Sequence, residues 1–233
     1  MSKRKIETEK ILEQMAEFFD TLTLSQQEEL KKHVQVRSYK KNELFYGEGE
    51  IPDTLYCLLQ GKVKISKEGA SGRNQIMRVA NAVEYFGYRA ALAGEPFITA
   101  AAAFEPSIVA TMPLWLIKRY MEENPKVGLF FVRRLAIALG QSDERTVNLT
   151  QKHMNGRLAE SLIFLRDNYG LEEDGCTLSL YLSREDLANL SNMTTANAIR
   201  TLSTFAKEKI VAIDGKKIKL IDMKALEKIN RLG

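Results

Sequence analysis

Two cysteines, two histidines and one tryptophan in 233 residues leave little material for several kinds of chemistry. Cys57 and Cys176 are too few for a disulfide scaffold or for a four-thiolate zinc or iron–sulfur site. With only His33 and His153 beside them, Cys/His metal chemistry has few ligands to work with. Long apolar runs are missing as well. The windows at 90–103 and 129–139 are broken by Glu95 and Pro96 and by Arg133 and Arg134. Neither reaches the ~18 uncharged residues of a membrane span. The start, Met1 to Glu7, has basic residues, but Glu7, Glu9 and Lys10 interrupt any apolar core of a secretory signal. A cytoplasmic protein with reduced thiols and no membrane partner is expected. Walker and Gly-x-Ser-x-Gly loops and a metal-binding His pair are absent, which argues against an enzyme. What remains is ordinary for a globular chain: 45% hydrophobic, 27% charged, net charge +4. That excess is too small by itself to imply a nucleic-acid partner.

The texture changes along the chain. Residues 6–33 read as helical, with Ile11, Leu12, Met15, Phe18 and Phe19 on one stripe. Ser25 is the expected cap of a restarted helix, with Glu28 at the capping-box offset. From Val34 to Pro113, short alternating runs are separated by turn residues: 44–46, 54–59, 63–66, 75–79 and 107–112, with a polar tip at 67–74. Strands at this spacing predict a barrel or sandwich of roughly eighty residues. Asn124 and Pro125 then cap and open one long helix to about His153. Phe131, Leu135, Leu139, Ser142, Thr146 and Leu149 recur on it at near-heptad spacing. The helix either packs on its own domain or pairs with a second copy. Its length of about 30 residues, roughly 45 Å, favours the dimer seam. Another helix is expected to Tyr169, then a short strand at 178–182.

Residues 183–205 carry the clearest function. Ser183 caps a helix with Asp186 three residues on, and Leu187, Ala188 and Leu190 form its buried face. Small Ala188 permits the close crossing of a helix-turn-helix. Asn192 suits a left-handed turn position, and Thr194 caps the second helix. On that helix Ala198, Leu202 and Phe205 face inward, leaving Thr195, Asn197, Arg200 and Thr204 outside. Asp214-Gly215-Lys216 then signals a hairpin between 210–213 and 217–221, the wing of a winged helix. From Thr194 to Lys219 six bases face two acids, an excess of four charges in 26 residues that equals the whole-chain figure. Such local charge suits DNA phosphates. Arg200 is the expected guanine reader, Asn197 an adenine or phosphate contact, Thr195 a contact to a base edge or methyl, and Lys216 and Lys217 phosphate contacts at the wing tip, with Ser183 and Thr194 also expected at the DNA.

These features resemble the Crp/Fnr superfamily of bacterial transcription regulators. The run Lys41-Asn42-Glu43-Leu44-Phe45-Tyr46-Gly47-Glu48-Gly49, then Asp53-Thr54-Leu55-Tyr56, Gly61-Lys62-Val63-Lys64-Ile65 and Phe86-Gly87-Tyr88, stand in the family's order and spacing. The resemblance implies an α+β chain in three parts. Residues 1–123 would hold N-terminal helices and a β-roll of the cyclic-nucleotide-binding type, 124–153 a long dimerisation helix, and 154–233 a winged helix-turn-helix. It also implies a homodimer on double-stranded DNA, with RNA polymerase as a further partner.

Departures from the family pattern narrow the branch. Members that bind cyclic AMP carry a Glu after the Phe-Gly, and later an Arg for the cyclic phosphate. Here Tyr88 holds the Glu place, and Phe97-Ile98-Thr99 has no Arg. Arg89 would face away if Tyr88 points inward along a strand. The expected effector is therefore a small molecule other than cyclic AMP, in a pocket lined by Tyr88, Arg89, Thr99, Ala91 and Ala100. A roll that only scaffolds the dimer is the alternative, and haem on His33 or His153 a lesser one. No cofactor is implied with certainty. The recognition helix departs too: Thr195 and Ala196 stand where familiar members have Arg and Glu, so the operator should differ.

Overall fold

A computed structural model describes residue 11, residues 13–70, residue 72 and residues 74–233. Leu12 and residues 6–10 of the expected first helix lie outside the described residues, as do 71 and 73 of the expected hairpin tip. The chain forms two compact units: residues up to 67 with 77–140, and 68–76 with 141–233.

The first unit opens with α1 (Ala16–Phe19) and α2 (Leu24–His33). Thr23, not Ser25, caps α2. Its hydroxyl accepts from Gln26 N and Gln26 Oε1 accepts from Thr23 N, so the box pairs a Thr with a Gln. Both candidate pairs have the right offset, and burial of Gln26 selects this one. The strands follow: β1 (Gln35–Tyr39), β2 (Leu44–Tyr46), β3 (Thr54–Gln60), β4 (Val63–Glu68), β5 (Asn74–Ala80) and β6 (Tyr85–Phe86). After α3 (Tyr88–Ala93) come β7 (Ala100–Ala103) and β8 (Ser107–Pro113), then α4 (Leu114–Glu123). Two four-stranded sheets result, in the orders β1-β8-β3-β6 and β2-β7-β4-β5.

β3 shows why the roll reads as a run of apolar residues. Successive side chains alternate between faces. Tyr56 and Leu58 enter the core between the sheets, with Tyr46, Val63, Ile65, Phe86, Phe97 and Val109. Leu55, Cys57 and Leu59 enter a second core, under Met15, Phe18, Leu30, Leu116, Tyr120, Phe130 and Phe131 of the helices. Both faces being covered, each large side chain contributes about 1.5–3 kcal/mol of burial. Polar ties fix the helices. Tyr120 donates its hydroxyl hydrogen bond toward Gln26 O and Glu29 Oε2, each 3.1 Å away.

α5 (Pro125–Gln151) runs from the first unit into the second. Asn124 caps it as expected, Oδ1 accepting from Lys126 N at 3.1 Å while Nδ2 donates to Thr21 O. The second unit continues with α6 (Met154–Tyr169), α7 (Arg184–Leu190), α8 (Thr195–Lys207), the hairpin β9 (Val211–Asp214) and β10 (Lys217–Leu220), and α9 (Met223–Leu232). The expected strand at 178–182 does not form. Leu178 and Thr177 make isolated bridges to Leu171 and Lys219, and the chain then bends at Ser179 and Leu180. Leu178, Leu180 and Leu182 are buried, so the alternation was real but served packing without a ladder.

Candidate nucleic-acid interface

The helix-turn-helix assembles as its residues dictate. Ser183 Oγ accepts from Asp186 N at 3.0 Å and donates to the Asp186 carboxylate at 2.7 Å, closing the start of α7. Asn192 adopts φ 50° in the turn, the left-handed conformation that Asn tolerates. Thr194 caps α8 through Asn197 N. Beneath the turn, buried Ser191 Oγ lies 2.8 Å from Ser161 Oγ and 2.8 Å from Leu187 O, tying α7 to α6. Arg145 donates to Leu190 O at the end of α7, and burial pushes its guanidinium pKa down.

Ala198, Thr201, Leu202 and Phe205 bury one side of α8. The other side exposes Thr195, Ala196, Ile199, Arg200, Ser203 and Thr204. Asn197 is half-buried, at the edge of this strip. Thr204 Oγ1 turns back onto the Arg200 carbonyl at 3.2 Å. Arg200 is exposed and makes no ion pair among the described residues. Ile199, at 46% exposure, was missed by sequence reasoning. Its position one residue after inward Ala198 was the signal that could have found it.

The wing is a tight hairpin with Lys217 opposite Asp214. Gly215 takes φ 56° at its tip, where a side chain would be strained. Arg184, the first residue of α7, donates from Nη2 to Gly215 O at 2.7 Å and ties the wing to the helix pair. The two expected wing lysines are not equivalent. Lys217 Nζ lies 3.8 Å from Glu172 and 5.3 Å from the Tyr181 ring centre. Lys219 pairs with Asp174 at 3.2 Å. Hydrogen bonds from the Thr177 hydroxyl and from the Thr177 and Cys176 amides hold the Asp174 carboxyl well below the usual range. Lys216 is exposed, with no ion pair among the described residues.

The structure scatters the expected effector residues. Residues 88–93 form α3, so strand alternation does not govern Tyr88 and Arg89. Gly87 opens that helix at φ 87°, and a Cβ there would meet the Tyr56 ring at 3.0 Å. The Tyr88 ring packs against Phe131 at 5.3 Å, in the core under the helices. Ala91 joins the same core. Arg89 makes an exposed ion pair with Glu95 at 2.7 Å. Thr99 and Ala100 are half-buried. Between the sheets the core of the roll is rich in aromatic rings. Tyr46 stacks on Phe97 with centroids 3.7 Å apart and planes at 10°, and Tyr56 stacks on Phe86 at 5.0 Å. Burial pushes the Tyr46 and Tyr56 hydroxyls up to about 12. His33 binds the Glu29 carbonyl at 3.0 Å and meets Trp115 edge-on, while His153 stands at the N-terminus of α6.

The expected seam of α5 divides. Phe131 is 1% exposed, and with Val127, Phe130 and half-buried Leu135 it packs into the first unit's own core. Phe131 and Leu135 therefore do not lie on a free face. Leu139, Ser142 and Thr146 are exposed and Leu149 half-buried. The exposed apolar stripe instead begins with Leu129 (61%) and Val132 (57%) and continues through Ala136 to Leu139 (63%). Spacings of three, four and three place these on the side opposite the core-facing residues.

Comparison with known proteins gives the same parts in the same order. Residues 36–124 match the cyclic nucleotide-binding domain family, and residues 156–229 match the Crp-like helix-turn-helix domain family. The chain is 26% identical over 186 residues to the global nitrogen regulator of Nostoc sp. strain PCC 7120, covering 78% of this chain and 83% of that protein. It is 23% identical over 198 residues to the CRP-like cAMP-activated global transcriptional regulator of Mycobacterium tuberculosis, covering 84% and 88%. The solved structure of FixK2 from Bradyrhizobium japonicum has the same fold, with a TM-score of 0.74 at 22% identity over 84% of this chain and 97% of that one. Among the described residues, no helix is long and apolar enough to cross a membrane.

Proposed function

The chain belongs to the Crp/Fnr superfamily of bacterial transcription regulators, and from that premise we propose a homodimer that binds double-stranded DNA by sequence under an effector other than cyclic AMP. The observation that carries the DNA reading is the exposed strip of α8. It presents exposed Arg200, which makes no ion pair among the described residues, on a helix whose N-terminus and inner face are fixed. A planar guanidinium there can address O6 and N7 of one guanine together. Exposed Lys216, Lys207 and Lys209 supply charge for phosphates on either side. The stripe of Leu129, Val132, Ala136 and Leu139 is the face offered to the second copy, with α5 paired as a coiled coil. The work takes place on intracellular DNA, and RNA polymerase is the further partner this reading adds.

The Mycobacterium tuberculosis relative is described as activated by cyclic AMP. In this chain Tyr88 replaces the Glu and turns into the helix-side core, and Ile98 and Thr99 leave no Arg for a cyclic phosphate. Desolvating that phosphate without a charge partner is strongly unfavourable. A second reading, of a roll that only scaffolds the dimer, is favoured by the Tyr46–Phe97 stack, which lies in the buried core between the sheets.

Selection from a pool of random-sequence duplexes by the full-length protein tests the function. Enrichment of one motif supports it, and binding without any enrichment contradicts it. Calorimetry tests the effector part. No saturable heat with cyclic AMP is expected, whereas micromolar affinity would contradict that part alone.

A further inference from the structure

We propose that Ile199, with Ala196 beside it, recognises the C5-methyl groups of thymines in the major groove and so sets part of the operator sequence. The inference rests on the reading of α8 as the recognition helix and adds a chemical class of target to it. Ala196, Ile199 and Ser203 lie at spacings of three and four, which makes them one continuous line on the exposed side of α8. Arg200 is the next residue on the same face. Scattered exposed apolar residues are common and mean little by themselves. Ile199 differs in its place: it lies in the middle of the strip, and the packing of α8 is completed without it by Ala198, Thr201, Leu202 and Phe205.

Along that line Ala196 and Ile199 form an apolar pair, with the Ser203 hydroxyl following them. Asn197 stands at the half-buried edge, and the Thr204 hydroxyl is occupied with the Arg200 carbonyl. In the major groove a thymine offers a methyl group, whereas guanine and adenine offer only polar edge atoms and cytosine an amino donor. An apolar side chain held against that methyl gains contact area. Against a bare polar edge it would desolvate an acceptor without replacing the lost hydrogen bond. A β-branched residue in a helix keeps essentially one χ1 rotamer, so Ile199 presents its methyls with little ordering left to do. The surrounding charge, from Arg200 and the exposed lysines, suits a nucleic acid better than another apolar surface. The half-site should therefore pair a guanine, read by Arg200, with adjacent thymines.

The test uses the full-length protein and a duplex selected from a random pool, resynthesised with deoxyuridine in place of each thymidine in turn. Deoxyuridine keeps every hydrogen-bonding group and lacks only the methyl. Binding should fall roughly fourfold for each contacted thymine so replaced. The Ile199→Ala variant should keep its circular dichroism and lose most of the thymidine preference at one position of each half-site, while any thymine read by Ala196 keeps its preference. Equal binding of both duplexes by the unaltered protein would overturn the inference. So would an Ile199→Ala variant that keeps the full thymidine preference, or one that changes only its oligomeric state. A pool that yields no enriched sequence at all overturns the recognition-helix reading itself, and this inference with it.

Discussion

At the scale of single residues, the caps and the turn were the most legible features. Ser183, Asn192 and Thr194 occupy the conformations their side chains favour, because those preferences are local and need no tertiary partner. Where two local solutions compete, tertiary burial decides, as it does for Thr23 and Gln26 over Ser25 and Glu28. Tyr88 was legible as a departure from the family's Glu, but its destination was not. Only the fold shows that its ring meets Phe131, a residue 43 positions on in the chain. Arg200→Ala should cost about 1–3 kcal/mol per half-site and relax the preference at one base pair in each. Titrations against the selected duplex and its single-base variants check this. An equal loss on every sequence would make Arg200 a phosphate contact, with readout passing to its neighbours or to DNA shape.

Whole elements were read well where one period ran without interruption and less well where two faces compete. β3 and α8 follow their periods closely. Along α5 one apolar stripe faces the core and another faces outward, and the sequence reading merged them by starting at Phe131. The two stripes predict opposite outcomes. Phe131→Ala should destabilise the fold by about 3–5 kcal/mol, as for a large buried ring, and leave the folded fraction dimeric. Leu139→Arg should leave the fold intact and give monomers in sedimentation, since it places a charge against its symmetry mate. A dimeric Leu139→Arg variant with unchanged DNA affinity would put the interface elsewhere. The wing offers a parallel contrast. Lys216→Ala should flatten the slope of log affinity against log salt by about one unit per subunit. Lys217→Ala should flatten it less, because Glu172 and Tyr181 already engage that ammonium. Equal slopes for the two variants would show that DNA displaces Glu172.

The whole molecule was legible as an ordered set of parts, and the identity of any effector was not. Family motifs such as Phe86-Gly87 mark a backbone need, here a left-handed glycine pressed against Tyr56, whatever the ligand. The interior chemistry depends on Tyr46 and Phe97, which are distant in sequence and meet only in the folded roll. In the proposed function two copies of the chain read DNA as a symmetric pair. Paired recognition helices demand half-sites about one helical turn apart, roughly 34 Å. The most direct measurement is therefore the affinity of the full-length protein for its selected duplex with 0, 5 or 10 base pairs inserted between the half-sites. A symmetric pair requires an inverted repeat whose affinity collapses toward that of unselected DNA with five inserted pairs, which put the second half-site on the opposite face of the helix. A selected site without two-fold symmetry, or one whose affinity is unchanged by that insertion, would contradict it.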